Sequence, residues 1–268
     1  QGIVQSFFKD KPYIVTGHGG DISSLNNGIF KRLKERCLSR AKTITVVSEF
    51  KQKELNKYYP RYESEILSMG VNTLLFDRKI NYSSNYFNQG NRKVILYVGR
   101  LAEIKGVEYL IQAMKHVGDT ILVIVGNGPE REHLEELAKT CNVDVKFLGS
   151  KSHEELKIIY ASADVLVVPS IIDHKGAQEG LPTVILEAMA SELPVIATKT
   201  GGIPQLIQDG VNGLLCEERC VWQLTDNICS LLNDHDLYEK IAANGKETIK
   251  EYDYRNIAQK YHDILENY

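Results

Sequence analysis

The stretch Val94–Val117 reads VILYVGRLAEIKGVEYLIQAMKHV. It opens on an unbroken apolar run that ends in glycine, and it closes on VEYLIQAMKHV (Val107–Val117), where apolar residues recur at helical spacing. A short continuous run of this kind is a strand covered on both faces, and the periodicity after it is a helix packed by one side. Working outward, the unit repeats. ILVIVG (Ile121–Gly126) leads to PEREHLEELAKTC (Pro129–Cys141), VKFLG (Val145–Gly149) to HEELKIIYASA (His153–Ala163), and VLVVPS (Val165–Ser170) to TVILEAMASE (Thr183–Glu192). PVIAT (Pro194–Thr198), a short helix in IPQLIQDG and the strand GLLC (Gly213–Cys216) end the series. Strict alternation requires parallel strands joined by right-handed crossovers, so the class is α/β with a doubly wound, Rossmann-like sheet.

Residues 1–75 repeat the theme in shorter form, with strands in YIVT and ITVVS, and read as a partial N-terminal α/β domain. Residues 76–93 read as a linker, because NYSSNYFNQGNRK (Asn81–Lys93) is polar and rich in Asn and Ser. The complete Rossmann-like domain then spans 94–252, with polar helices packed outside it from 221 onward, and 253–268 forms a terminal helix. The opening QGIVQSFF has no Met and starts as if within a helix, so the natural N-terminus is expected upstream.

Composition excludes several function classes. Of 268 residues 25% are charged, and the net charge of -3 gives nucleic acid no electrostatic footing. The one basic cluster, FKRLKERCLSRAK (Phe30–Lys42), reads as the solvated face of a helix, with an anionic membrane surface as the alternative partner. Five cysteines, odd in number and without a CxxC pair, suit a reducing compartment and do not form a zinc site. No apolar run approaches the roughly 18 residues of a membrane span. The only tryptophan, Trp222, is expected in the core.

In a sheet of this type ligands bind beyond the carboxyl ends of the strands, so the residues just after each strand carry the chemistry. In GRLAEIKG (Gly99–Gly106), Gly99 lets backbone come close to a ligand. Arg100 and Lys105 bring two cations to the start of the next helix, where a diphosphate is the natural occupant; by themselves they read as well as two solvated surface cations. VGNGPERE (Val125–Glu132) fails as a dinucleotide fingerprint, since Arg131 stands where the third glycine belongs, and reads as a tight turn bordering the cleft. In QEGLPTVILEAMA (Gln178–Ala190), Glu179 lies in a loop and Glu187 inside an apolar helix. A buried carboxylate needs donors, so Glu187 either bonds to backbone or receives hydroxyls from a ligand. SIIDHKGAQ (Ser170–Gln178) is long for a connection and is expected to order on ligand binding. TGHGGD (Thr16–Asp21) ends an earlier strand and sets His18 among glycines, with Asp21 as a brace for the loop.

These segments, with FLG…HEEL…YASADVLVVPS, EGLPTVILEAMASELPVIAT and TGGIPQLIQDGVNGLL, together resemble the family 4 retaining glycosyltransferases of GT-B fold, from about Pro12 to the end of the chain. Glu179 and Glu187 resemble that family's E-x7-E pair, and TGHGGD its His-Gly-x-Asp segment. TVVSEFKQKEL resembles the stretch before the interdomain crossing. ILSMGVNTLLF departs from the usual pattern at Ser68, Met69 and Asn72. The resemblance implies a nucleotide-diphosphate sugar as donor (UDP-, GDP- or ADP-linked), a glycan or lipid-linked acceptor, and no metal or other cofactor. It also implies surface-polysaccharide synthesis in the cytoplasm or at the inner face of the membrane. Glu187 would accept the ribose hydroxyls, Arg100 and Lys105 would hold the departing diphosphate, and Glu179 would meet the donor sugar. The backbone of Gly180, Leu181, Pro182 and Thr183 would face sugar and phosphate, with His18 reaching from across the cleft. It further implies that about half of the N-terminal domain is not in this sequence. A nucleotide-sugar-binding fragment or partner subunit without activity is therefore the alternative.

Overall fold

The structure, a computed structural model, describes residues 12–19, 22, 28–78, 86–87, 90–174 and 176–266. The QGIVQSFF segment, Asp21 and most of the Asn81–Lys93 tract lie outside the described residues.

Two parallel sheets organise the chain. In the first, β1 (Ile14–Gly17), β2 (Thr43–Val46) and β3 (Glu65–Ile66) lie in the order β1-β2-β3, connected by α1 (Gly28–Arg40) and α2 (Glu49–Tyr58). The second holds β4 (Lys93–Val98), β5 (Thr120–Val125), β6 (Val145–Gly149), β7 (Val165–Val168), β8 (Val195–Thr198) and β9 (Leu214–Cys216). Their order is β6-β5-β4-β7-β8-β9, so the winding reverses between β4 and β7. That reversal opens a crevice at the carboxyl ends of these two strands. The crossovers are α3 (Val107–Met114), α4 (Arg131–Cys141), α5 (His153–Ala161), α6 (Thr183–Ala190) and the single turn α7 (Ile203–Leu206).

Continuous apolar runs become strands here because each one feeds two cores. Along β4, Val94, Leu96 and Val98 enter one cluster with α5 and α6, while Ile95 and Tyr97 enter the other with α3 and α4. β5 does the same, with Ile121, Val123 and Val125 on the first side and Leu122 and Ile124 on the second. The turn after β5 is as tight as its sequence implies. A side-chain carbon at Gly126 would stand 1.8 Å from the Gly99 carbonyl oxygen, so the loops after β4 and β5 pack backbone on backbone.

Beyond β9 the chain forms α8 (Val221–Asn233), α9 (His235–Thr248) and α10 (Tyr254–Glu266). Leu224, Ile228 and Leu231 share one side of α8 and are buried. Trp222 sits two residues earlier, on the other side. Contrary to the core position expected of it, Trp222 is 64% exposed and lies against the His116 ring at 4.8 Å.

The chain crosses between the sheets twice at one place. The Val71 amide donates to the Tyr252 carbonyl and the Tyr254 amide to the Val71 carbonyl, both at 2.9 Å, and Thr73 donates to the Asp253 carboxylate. α10 then reaches the first sheet, where Tyr261 Oη lies 3.2 Å from Thr16 Oγ1. The basic cluster is the helix α1, and its outer start leaves Ile29 and Phe30 exposed beside Lys31 and Arg32. The five cysteines are free, and no helix among the described residues is long and apolar enough to cross a membrane.

Candidate functional site

The crevice is lined by the segments that follow β4, β7 and β8, and the end of β1 faces it from the first sheet. After β4 the chain turns at Gly99, and Tyr97 Oη donates to the Arg100 carbonyl at 3.0 Å, which fixes the backbone beneath an exposed Arg100 side chain. A short 3-10 turn, Glu103–Lys105, then carries Lys105 to the start of α3. Lys105 Nζ is ion-paired with Glu179 Oε1, with both side chains mostly buried. The two halves of the sequence signal, separated by three strands along the chain, therefore meet directly.

The Glu179–Thr183 backbone is held from two sides. A side-chain carbon at Gly201, whose φ is +56°, would lie 1.9 Å from the Glu179 carbonyl oxygen, and the Gly201 amide donates to Gln178 Oε1 at 3.0 Å. From the first sheet, the His18 carbonyl oxygen lies 2.3 Å from where a side chain on Gly180 would start, and the aliphatic end of Lys51 closes in at 3.4 Å. Ser48, which caps α2, also donates to the Gly180 carbonyl at 3.4 Å, and the Glu49 amide donates to Gln205 Oε1 at 3.0 Å. His18 is exposed at the end of β1 and meets this loop through its backbone.

Past Gly180 the loop enters α6. Leu181 packs on the core, Pro182 is the N-cap residue with an extended ψ of 116°, and no side chain caps the helix. Its first amides thus have no side-chain acceptor, and a helix start of this kind suits an anion. One turn further, Glu187 is 9% exposed among Leu186, Ala188 and Met189. The donor seen on it here is a side chain. Tyr160 Oη donates to Glu187 Oε2 at 2.7 Å. Burial raises the carboxyl above its ordinary range, and the Tyr160 hydrogen bond and nearby His153 oppose that rise only in part. Tyr160 is itself fully buried, which drives its own ionisation well above the usual tyrosine range.

The loop Ser170–Gln178 is tied at several points. The Ile171 amide donates to the Ile104 carbonyl at 2.9 Å, the Ile172 amide to Glu218 Oε2 at 2.6 Å, and Arg219 to the Ile172 carbonyl at 2.6 Å. His174 Nδ1 lies 3.0 Å from Glu103 Oε2, which ties this loop to the one bearing Lys105. Tyr160, Gln178, Ser48 and Lys51 are site neighbours to which the sequence motifs assign no role. Only Tyr160 carried a signal, a hydroxyl aromatic on the buried side of a helix next to a strand that borders the crevice.

The sequence model of the family described as Glycosyl transferases group 1 matches residues 79–248. The chain belongs to the group 1 glycosyl transferases. An uncharacterized glycosyltransferase of Methanocaldococcus jannaschii is 34% identical over 230 residues, which are 81% of this chain and 57% of that protein. A GDP-mannose-dependent alpha-(1-6)-phosphatidylinositol monomannoside mannosyltransferase of Mycobacterium tuberculosis is 30% identical over 265 residues, covering 94% of this chain and 69% of the relative. The chain thus spans between about half and three quarters of the length of these relatives. Among solved structures, Anabaena HepE in complex with UDP and glucose superposes with a TM-score of 0.86 at 23% identity, over 100% of this chain and 74% of that one. The fold of this glycosyltransferase chain is accordingly GT-B.

Proposed function

We propose that this glycosyl transferase chain carries the donor half of a retaining family 4 enzyme, which moves a hexosyl unit from a nucleoside-diphosphate sugar to a glycan or lipid-linked acceptor. The observation that carries the reading is the meeting, at one helix start, of the Lys105–Glu179 ion pair and the uncapped amides of α6, with Glu187 buried a turn beyond and His18 facing them from the first sheet. A donor has three chemistries to satisfy, and each has a partner here. The diphosphate meets Arg100, Lys105 and the amides of Thr183 and its neighbours, the ribose hydroxyls meet the Glu187 carboxylate, and the sugar meets Glu179 and His18. The relatives give the same direction, since the mycobacterial protein is named for GDP-mannose and the Anabaena structure holds UDP and glucose.

In the transfer, the bond from the anomeric carbon to the diphosphate oxygen breaks and negative charge gathers on the leaving oxygen. Arg100, Lys105 and the α6 amides stabilise that charge where it develops. The leaving phosphate, on the face where the acceptor hydroxyl arrives, takes the acceptor's proton, which gives retention without an enzyme nucleophile. Among the described residues Glu179 is the carboxylate placed for the alternative double displacement, and its engagement with Lys105 fits hydroxyl binding better.

Calorimetric titration with UDP, GDP and ADP tests the site. Binding of one of the three should weaken by on the order of 100-fold in Arg100→Ala plus Lys105→Ala, because two charge-assisted contacts to phosphate are lost. His18→Ala should leave that affinity nearly intact and depress transfer. The anomeric configuration of the product, read by NMR, decides retention. Nucleotide binding that ignores the loss of both cations would overturn the assignment, and binding with no transfer to any acceptor would mark the chain as a binding module.

A further inference from the structure

Glu187 is held by a residue to which no role has yet been given. Tyr160 projects from α5, is completely buried, and delivers its hydroxyl to Glu187 Oε2 at 2.7 Å. Its ring is fixed in turn by Phe76, which meets it edge-on with centroids 5.6 Å apart. Phe76 belongs to the segment that has just crossed from the first sheet, where Val71 and Thr73 are bound to the 252–254 backbone and to Asp253. Phe76 also lies edge-on to His153, with centroids 6.4 Å apart.

A carboxylate has two oxygens and about four acceptor positions. With Oε2 engaged by Tyr160, the side chain is locked in rotation and Oε1 is left for a ligand. We infer that Tyr160 is a positioning residue for the donor, which orients Glu187 toward the ribose hydroxyls and is itself braced from the interdomain segment by Phe76. This inference rests on the donor reading of Glu187 given above.

The chemistry behind it is simple. An ionised carboxylate accepts from both hydroxyls of a ribose, whereas its protonated form offers one lone-pair oxygen fewer and competes as a donor. Burial favours the protonated form, and a hydrogen bond donated to the anion opposes that shift. The titratable groups that act on Glu187 are Tyr160 and His153, both on α5, and both favour its anion. Lys246 of α9 reaches α6 only at its far end, through the Ala190 carbonyl.

The test uses the nucleoside diphosphate that binds most tightly among UDP, GDP and ADP, its 2′,3′-dideoxy form, and the variants Tyr160→Phe and Glu187→Gln. Tyr160→Phe keeps the ring against Phe76 and removes only the hydroxyl. It should weaken the ribonucleotide on the order of tenfold at neutral pH, the size expected for one hydrogen bond to a charged group. The pH at which ribonucleotide binding is half lost on acidification should rise by about one unit. Affinity for the dideoxy nucleotide should not change, a contrast that a general loosening of the fold would not produce. Glu187→Gln should have a similar effect on its own and add little on top of Tyr160→Phe. If Glu187→Gln weakens the ribonucleotide while Tyr160→Phe leaves both affinity and pH midpoint unchanged, the positioning role is wrong and the donor reading stands. If Glu187→Gln has no effect, or none of the three nucleotides binds, the donor reading fails and takes this inference with it.

Discussion

The helices on either side of β7 begin at the same end of the sheet in opposite ways. α5 closes its own start. The Ser152 hydroxyl accepts from the Glu155 amide at 3.3 Å, and the Glu155 carboxylate accepts from the Ser152 amide at 2.9 Å, a complete capping box. α6 does nothing of the kind. Its N-cap residue is Pro182, which has no polar side chain, and no side chain accepts from its first amides. A capped start satisfies its first amides from within, whereas an uncapped one leaves donors for another acceptor. The surroundings agree. Cations and His18 gather at α6, whereas the Lys151–Glu155 pair at α5 is internal to one turn, at 2.9 Å.

The largest effect on this comparison comes from Gly180, which sits just before the open end. A methyl group there would have to displace the His18 carbonyl, 2.3 Å away, and backbone does not yield cheaply. Gly180→Ala should therefore push the first and second sheets apart at the crevice and move the α6 amides off the phosphate by a fraction of an ångström to about an ångström. A misplacement of that size costs on the order of 100-fold in transfer. Steady-state kinetics with a donor sugar measures it, and full activity in Gly180→Ala would mean that the close approach of His18 does not matter for transfer.

Next comes Glu179→Gln, whose interest lies in opposite signs. Lys105 is ion-paired with Glu179, which competes with any phosphate for the lysine. Neutralising Glu179 frees the lysine, so a bare nucleoside diphosphate should bind about threefold tighter, within the range of a partly screened ion pair. The donor sugar loses a charged acceptor at the same time, so transfer should fall about tenfold. Calorimetry and kinetics on one variant read the two signs. Weakening in both would show that Glu179 helps to hold the diphosphate, and that the ion pair does not compete with it.

How much of this was legible in the sequence depends on how far each feature is from its partner. The strands were readable because Val94–Val98 and Ile121–Val125 are apolar on both faces, and a run needs no partner to declare itself. Arg100 and the glycine turns were readable because they follow strands, and the two glutamates because they stand in one loop-to-helix segment, Glu187 among apolar residues. Glu179 with Lys105 could be named but not paired, since their meeting depends on β4 and β7 being neighbours. The Tyr160–Glu187 bond was out of reach for the same reason, because it joins helices on successive crossovers. Trp222 shows the limit in the other direction. Residue type places tryptophan inside, but the side of α8 is set by Leu224, Ile228 and Leu231, and the tryptophan is left outside.

The smallest effect tests the closed end. Ser152→Ala removes the hydroxyl that accepts from the Glu155 amide and donates to the Glu155 carboxylate at 2.8 Å. Losses of this kind cost about 1 kcal/mol of stability. The same box leaves a signature in acid. Hydrogen bonds from the Ser152 amide, then Lys151 and the Ser152 hydroxyl, lower the Glu155 carboxyl from 4.5 to about 2. A carboxyl whose folded value is depressed stabilises the fold fully above its unfolded value and loses that contribution as pH falls through the folded one. The contribution of Glu155 is thus present above about 4.5 and fades between there and about 2. Urea unfolding of the wild type and Ser152→Ala across that window should show the difference between them narrowing as Glu155 protonates. Nucleotide affinity, measured in parallel, should be the same in both proteins, since the capped helix start is occupied by its own side chains. A change in affinity matching that of the Arg100 and Lys105 variants would place the ligand at α5 and invert the comparison between the two helix starts.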